Sequence, residues 1–334
     1  MLLEERDNIA ATSGNLAVPA APTCVARTAG SNETAITNAT TDVWVKITAL
    51  NYWGETSTVT GPGSCAVNNT TQVVDVTIAP VAGALAYRVY VGTGASQPTD
   101  FYLDATIGGV KYTVQGPLPT SGTTPPVSDT GTGSANDPEG IITQLSGKSA
   151  SNGVYPADAA AGYYNASIGT TLSTDVVVTA LRAMWDSSTG YLADPREIIC
   201  EGNDAANLAL DVRESTQNYL LQIQQSEMAN VTTGVAVAEI QNPITRSTVA
   251  TMVHPYLPQG NAILMSYTLP QPQNNISNVI ETVMVQDYVT IGWPVIDATF
   301  RQSIFRYGLQ AMLYAPQFCG LLQGIQASGT TPYS

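Results

Sequence analysis

Few residues in this chain could do chemistry, and their spacing limits what each could do. One histidine, His254, sits in "MVHPYLPQG". A Ser–His–Asp hydrolase would have to use it, yet no GxSxG elbow occurs. Its place between a β run and a proline-rich turn fits a strand-end histidine bonded to backbone. A single histidine also argues against multi-histidine metal sites, and no DxDxDG run offers a calcium loop. Cys24, Cys65, Cys200 and Cys319 are widely spaced with no CxxC pair, which removes zinc and thioredoxin-like readings. Cys24 and Cys65 are the pair that could form a disulfide. With 26 acidic residues, some carboxylate pair of the kind that hydrolyses glycosides would arise by chance. Lys46, Lys111 and Lys148 are too scattered for a phosphate channel, and no glycine loop of nucleotide-binding type appears. The expectation is a protein without catalytic residues, cofactor or metal.

The densest patch of aromatic residues and arginine is "DYVTIGWPVIDATFRQSIFRYG", residues 287–308. Asp287, Asp297, Arg301 and Arg306 interrupt it too often for a membrane segment. Arg301 and Arg306 stand in opposite strand parity, so they need not share a face. The plain reading of the two is one surface charge and one ion pair; the sharper one is charge-assisted pairing with a carboxylate of a neighbouring subunit, with Trp293 packing the crossing between the strands. Trp293, Arg301 and Arg306 are the candidate inter-subunit contacts.

Composition bounds the function class. Of 334 residues, 11% are charged, against a usual share of about 25%. Weakly charged surfaces rich in Thr, Ser, Asn and Gln suit β structure and broad contact with other protein. The net charge of −14 repels phosphate, which argues against sequence-reading nucleic-acid binding while leaving open a protein that encloses nucleic acid. "MLLEERDNIAATSG" lacks the basic and apolar regions of a signal peptide, and no run of about 20 apolar residues predicts a membrane helix.

Periodicity divides the chain into three parts. Residues 1–16 read as the end of a helix closed by Gly14, and 17–127 as an all-β sandwich. "VWVKITALN" places Val43, Val45, Ile47 and Ala49 on one side. "QVVDVTIAP" does the same for Val74, Val76 and Ile78, and "LAYRVYVG" for Leu85, Tyr87, Val89 and Val91. After a Pro/Gly/Ser/Thr connector, residues 128–334 read as α+β. Helices are predicted from Asp137–Pro138 to 145, over 173–188 with Val177, Leu181, Met184 and Trp185 inward, and over 203–215 capped by Asn203. Strands are predicted at 196–202, 248–258, 261–270, 278–294 and 299–316. Gly292–Pro294 is expected to join the two strands of the aromatic patch.

Two resemblances follow from these pieces. "ITALNYWGETSTVT" (47–60) and "VTIAPVAGALAYRVYVG" (76–92) resemble strand pairs of fibronectin type III and other immunoglobulin-like domains, in reversed order. The order of "TALRAMWDSSTGYLADPREIICEGNDAANLALDV", "VAEIQNPITRSTVATMVHPYLPQGNAILMSYTLP" and "ETVMVQDYVTIGWPVIDATFRQSIFRYGLQAMLYAPQFCGLLQGI" resembles the C-terminal part of tailed-bacteriophage major capsid proteins of the Hong-Kong-97 type. Tyr314, Pro316 and Gly324–Ile325 match that family's ending.

The resemblance implies an α+β fold with axial and peripheral domains. Residues 1–16 would end the spine helix of the peripheral domain. The immunoglobulin-like domain would be an insertion on the outside of the shell. Residues 128–334 would form the axial domain and the return strands of the peripheral domain, with the 287–308 patch crossing between them.

The implied function is that of a structural major capsid protein, self-assembling as a homo-oligomer of hexamers and pentamers into an icosahedral shell. It would enclose double-stranded DNA without sequence-specific binding, in a virion assembled in the host cytoplasm. Minor capsid or decoration proteins are expected partners, and no membrane is. The competing reading is a surface or secreted module that binds carbohydrate or host through the immunoglobulin-like domain.

Overall fold

The computed structural model describes residues 16–37, 42–51, 54–58, 61–67, 71–81, 83–131, 140–146, 163–186, 191–214, 237–273, 276–294, 300–313 and 315–326. The predicted helix ending at Gly14 and the Asp137 cap lie outside them.

Seven strands form the first unit: β1 (Thr23–Thr28), β2 (Asp42–Leu50), β3 (Gly63–Ala66), β4 (Gln72–Thr77), β5 (Ala86–Gly94), β6 (Tyr102–Ile107) and β7 (Lys111–Val114). They make a three-stranded sheet, β1-β4-β7, and a four-stranded sheet, β3-β2-β5-β6. Val43, Val45, Ile47 and Ala49 of β2 meet Val74 and Val76 of β4, and Tyr87, Val89 and Val91 of β5, in one core. Alternation produces this directly, because successive side chains point to opposite faces of a strand. The β2–β5 register sets Val45 opposite Val91 and Ile47 opposite Val89. The pieces resembling immunoglobulin-like strands fall on β2 with its following loop and on β4–β5. β4 and β5 belong to opposite sheets, so their connection crosses the sandwich.

The second unit is built on a mixed six-stranded sheet. Its strands are β8 (Tyr163–Asn165), β11 (Glu197–Cys200), β12 (Glu239–Gln241), β13 (Thr248–Val253), β14 (Asn261–Met265) and β19 (Gly320–Gln323), in the order β12-β13-β11-β14-β19-β8. The β11–β13 and β19–β8 pairs are parallel and the others antiparallel. The short pair β9 (Trp185–Asp186) and β10 (Tyr191–Leu192) flanks it.

Helices α1 (Ile141–Leu145), α2 (Thr174–Met184) and α3 (Gly202–Glu214) complete the unit. Val177, Leu181 and Met184 of α2 and Leu208 of α3 cover one sheet face, meeting Ile198, Cys200, Ala262, Leu264 and Leu322. Ile142 and Leu145 of α1 cover the other, with Ile263, Met265, Cys319 and Leu321. A sheet covered on both faces needs near-continuous apolar strands. "NAILM" is accordingly buried at every residue.

The predicted elements are corrected at several ends. Helix α2 stops at Met184, so half-buried Trp185 lies in β9 rather than on the helix face. Of Ser173 and Thr174, the two residues that could cap that helix, Ser173 does so, its Oγ accepting from the Val176 N–H at 3.4 Å. Helix α3 begins at Gly202, and the Glu201 carboxylate, not Asn203, accepts from the Asn203 N–H at 2.8 Å. Helix α1 begins at Ile141 after an extended Gly140. β13 ends before His254, and the 261–270 run splits into β14 and β15 (Thr268–Gln273), which pairs with β16 (Ile276–Asn278).

The aromatic patch falls on a long antiparallel ribbon of β17 (Ile280–Pro294) and β18 (Phe300–Leu313). Gly292–Pro294 do not join two strands. They end β17, paired across the ribbon with Gln302, Arg301 and Phe300.

Candidate functional site

The ribbon carries all three candidate contact residues. Its register runs from Ile280 opposite Leu313 to Pro294 opposite Phe300. At strand rise this is roughly 45 Å of two-stranded sheet. Trp293 and Arg301 are direct cross-strand partners, next to the last pair before residues 295–299. Arg306 occupies a different place. Gln286 pairs with Tyr307 and Val289 with Phe305, so Asp287 and Tyr288 together stand across from Arg306 alone. An extra residue on one strand is a bulge, which bends the ribbon and strengthens its twist. The structure thus brings Trp293 and Arg301 together near the ribbon's end and sets Arg306 apart, at a bend.

At its base the ribbon is tied to the six-stranded sheet. Val279 and Ala315, at its two feet, are buried in the core under α1 with Cys319 and Leu321. Pro316 opens a 3-10 turn, Pro316–Phe318, and the Phe318 carbonyl accepts from Ser266 Oγ at 2.7 Å. The chain then re-enters the sheet as β19 beside β14. Ile325 is fully buried against α2 and β14, and Gly324 has φ +75, a backbone state that suits glycine.

The sandwich is docked on this sheet through close backbone contact. A Cβ added at Gly108 would lie 2.2 Å from the Gln259 carbonyl oxygen, so only glycine fits there. Gly109 and Gly324 form a β-bridge. The Gln323 side chain donates from Nε2 to the Ala84 carbonyl at 3.2 Å and to Asn261 Oδ1 at 2.8 Å, while its Oε1 accepts from the Tyr164 hydroxyl at 2.8 Å. Lys111 Nζ donates to the Gly169 carbonyl at 3.2 Å. A cleft of about 770 Å³ runs beside this junction, lined by Arg27, Glu33, Asp75, Lys111, Tyr112 and Gln326 among others. Arg27 is engaged there by both Glu33 and Asp75. Its guanidinium holds the Glu33 carboxyl down at about 2.

Among the described residues of the sandwich the buried charged side chain is Glu55. Its Oε2 accepts from Thr48 Oγ1 at 2.7 Å and from the Tyr90 hydroxyl at 2.8 Å, and its Oε1 from Arg88 Nη1 at 2.7 Å. Burial, and then the Glu55 carboxylate, push the Tyr90 hydroxyl up to about 12. The Glu55 backbone binds Thr130, and Asn51 Nδ2 donates to the Gly131 carbonyl at 2.6 Å. Glu55 thus lies over the outer face of the four-stranded sheet and holds the connector there. Sequence reading missed this group. The available signal was Thr48, Arg88 and Tyr90 on the polar parity of two well-formed strands.

His254 is half-buried at the end of β13. Its backbone N–H donates to the Cys200 carbonyl at 3.0 Å, its Nδ1 accepts from the Tyr256 N–H at 3.3 Å, and its ring meets Tyr256 edge-on at 5.9 Å. These are the backbone bonds expected of a strand-end histidine. Among the described residues no group of three or more His, Cys, Asp or Glu could hold a metal, and no helix is long and apolar enough to cross a membrane.

In comparisons with protein-family models and with curated proteins, no match to the chain was found.

Proposed function

We propose that this chain is the major structural subunit of a protein shell, of the kind built by Hong-Kong-97-type capsid proteins, with the sandwich as an immunoglobulin-like domain on the outside. The observation that carries the reading is the path of the chain after β14. It leaves a helix-flanked mixed sheet, runs out and back through the β17–β18 ribbon, and returns as β19 next to the strand it left. The resemblance implies an axial sheet followed by a return through a peripheral domain; here both feet of the ribbon stand in the core of one sheet, so under this reading the ribbon itself is the peripheral part.

An isolated two-stranded ribbon is marginally stable in water. Among the described residues each ribbon strand has one hydrogen-bonded neighbour. Its outer edges therefore keep backbone donors and acceptors for other protein, which suits a subunit that repeats in a closed lattice. Low charge favours broad contacts, each weak and many in number. A net charge of −14 keeps enclosed DNA from sticking to the wall.

The test is particle formation. Purified protein, and any particle that contains it, are examined by electron microscopy alongside Arg301→Glu and Arg306→Glu variants. Wild type is expected in closed shells, and at least one reversal is expected to stop assembly at small oligomers while the chain stays folded. Monomers alone at high concentration, with no shell in the source particle, would defeat the shell reading. Normal shells from both variants would defeat the inter-subunit role of the arginines.

A further inference from the structure

On one side of the sandwich the two sheets meet edge to edge. β1 ends the three-stranded sheet, β3 ends the four-stranded one, and the two strands run against each other there. The approach is close. A Cβ added at Gly63 would stand 2.3 Å from the Pro22 carbonyl oxygen and 3.0 Å from Cys24 Sγ. Cys65 follows Gly63 by two residues on β3, so both positions project from the same face of that strand. Cys24 and Cys65 are half-buried free thiols packed against the same core. Burial pushes the Cys24 thiol up to about 12, and a charge on Cys65 would add to the rise. Burial, and then Asp42, push Cys65 up to about 11. The remaining two cysteines cannot pair with each other in this fold, because Cys200 lies in the core on one face of the six-stranded sheet and Cys319 in the core on the other.

We propose that Cys24 and Cys65 are a redox pair, joined on oxidation by a disulfide that ties β1 to β3 and closes this side of the sandwich. The oxidant is a small disulfide of the glutathione class. One cysteine, as thiolate, attacks a sulfur of that disulfide; its S–S bond breaks and one glutathione leaves, taking up a proton. The second cysteine, as thiolate, attacks the protein sulfur of the mixed disulfide and expels the second glutathione, which is protonated in turn. Two protein thiols lose two electrons and two protons, and one small disulfide becomes two thiols. Thiolates are scarce at neutral pH when the thiol is pushed this high, so closure is slow; thiols of high pKa are also poor leaving groups, so reopening by an external thiol is slow. The bridge encloses β2 within the loop it forms, restricting the unfolded chain. It rests on the sandwich alone and holds whether or not the chain builds a shell.

The experiment uses the full chain, equilibrated for a day at pH 8.5 with oxidised and reduced glutathione, acid-quenched, alkylated, digested and mapped by mass spectrometry. The expected result is loss of two of the four thiols, with one cross-linked peptide joining Cys24 to Cys65. Thermal unfolding of the oxidised chain should rise by about 5 °C or more. Cys24→Ser and Cys65→Ser should each stop at a glutathione adduct on the remaining cysteine, which shows that the second thiol completes the bridge. Four free thiols at equilibrium, stable adducts on the wild type without a cross-link, or a bridge between any other pair would overturn the proposal.

Discussion

The sandwich and the six-stranded sheet both have strands covered on two faces, but they cover the second face by different means. In the sheet, β14 buries all of Asn261–Met265, with Leu264 against α2 and Ile263 against the core of α1. Both covers are mainly apolar. In the sandwich, β2 turns Val45 and Ile47 into the core, while Thr48 on the opposite parity is also fully buried. What covers Thr48 is polar: Glu55, with Tyr90, Arg88 and residues 130–131. The two solutions fail differently. An apolar cover loses stability in proportion to the volume removed, whereas a polar one depends on every partner staying in place.

Three substitutions sharpen that difference. Leu264→Ala removes a fully buried side chain from the sheet and is expected to cost about 3 kcal/mol. Chemical denaturation reads that loss, and a change below about 1 kcal/mol would mean the helix cover is loose. Glu55→Ala leaves Arg88, Thr48 and Tyr90 without their shared acceptor. A cost of about 2 kcal/mol is expected, together with faster limited proteolysis near residues 128–131. Glu55→Gln should recover part of the loss by keeping an acceptor for the two hydroxyls. If Ala and Gln behave alike, the carboxylate's charge matters and its hydrogen-bond geometry does not.

The smallest effect is a pH dependence. Glu33 titrates lower in the folded chain, near 2, than its ordinary value of 4.5, because Arg27 binds the carboxylate. Its stabilisation is therefore present above pH 4.5 and is lost as pH falls toward 2. The pair is partly open to water, so no more than about 1 kcal/mol is expected. Urea midpoints of wild type and Glu33→Gln should differ at pH 6 and converge at pH 2. A gap that persists at pH 2 would show that the loss in the variant comes from packing.

The ribbon belongs to neither solution. Its feet, Val279 and Ala315, are buried in the sheet's core, while its strands pair with each other as a two-stranded sheet. The bulge that puts Asp287 and Tyr288 across from Arg306 bends it part-way along. Under the proposed function these features belong together, because bends and bulges aim a strand pair at neighbours in a lattice.

Much of the fold was legible. Alternation marked the inward residues of β2, β4 and β5 except Leu85, which precedes β5 and packs against the core under α1, and the 3.6-residue period marked Val177, Leu181 and Met184 on α2. Ends were less legible, because they depend on local competition. Trp185 continues the helical pattern but enters β9, and Glu201 takes the capping role expected of Asn203. Glycine and proline usually punctuate a chain, and in the aromatic patch they predict a joint at Gly292–Pro294. Here they end β17, paired with Gln302, Arg301 and Phe300.

By itself the sequence determined which residues face inward and where β texture gives way to mixed helix and strand. These depend on period and composition, which are local properties of the chain. Tertiary structure alone decided the parallel pairing of β11 with β13, the return of β19 beside β14, the burial of Glu55 under residues 130–131, and the meeting of Cys24's strand with Cys65's. Each joins residues distant in the chain, and what selects such a pairing is the burial of two faces at once, which no single stretch of sequence contains.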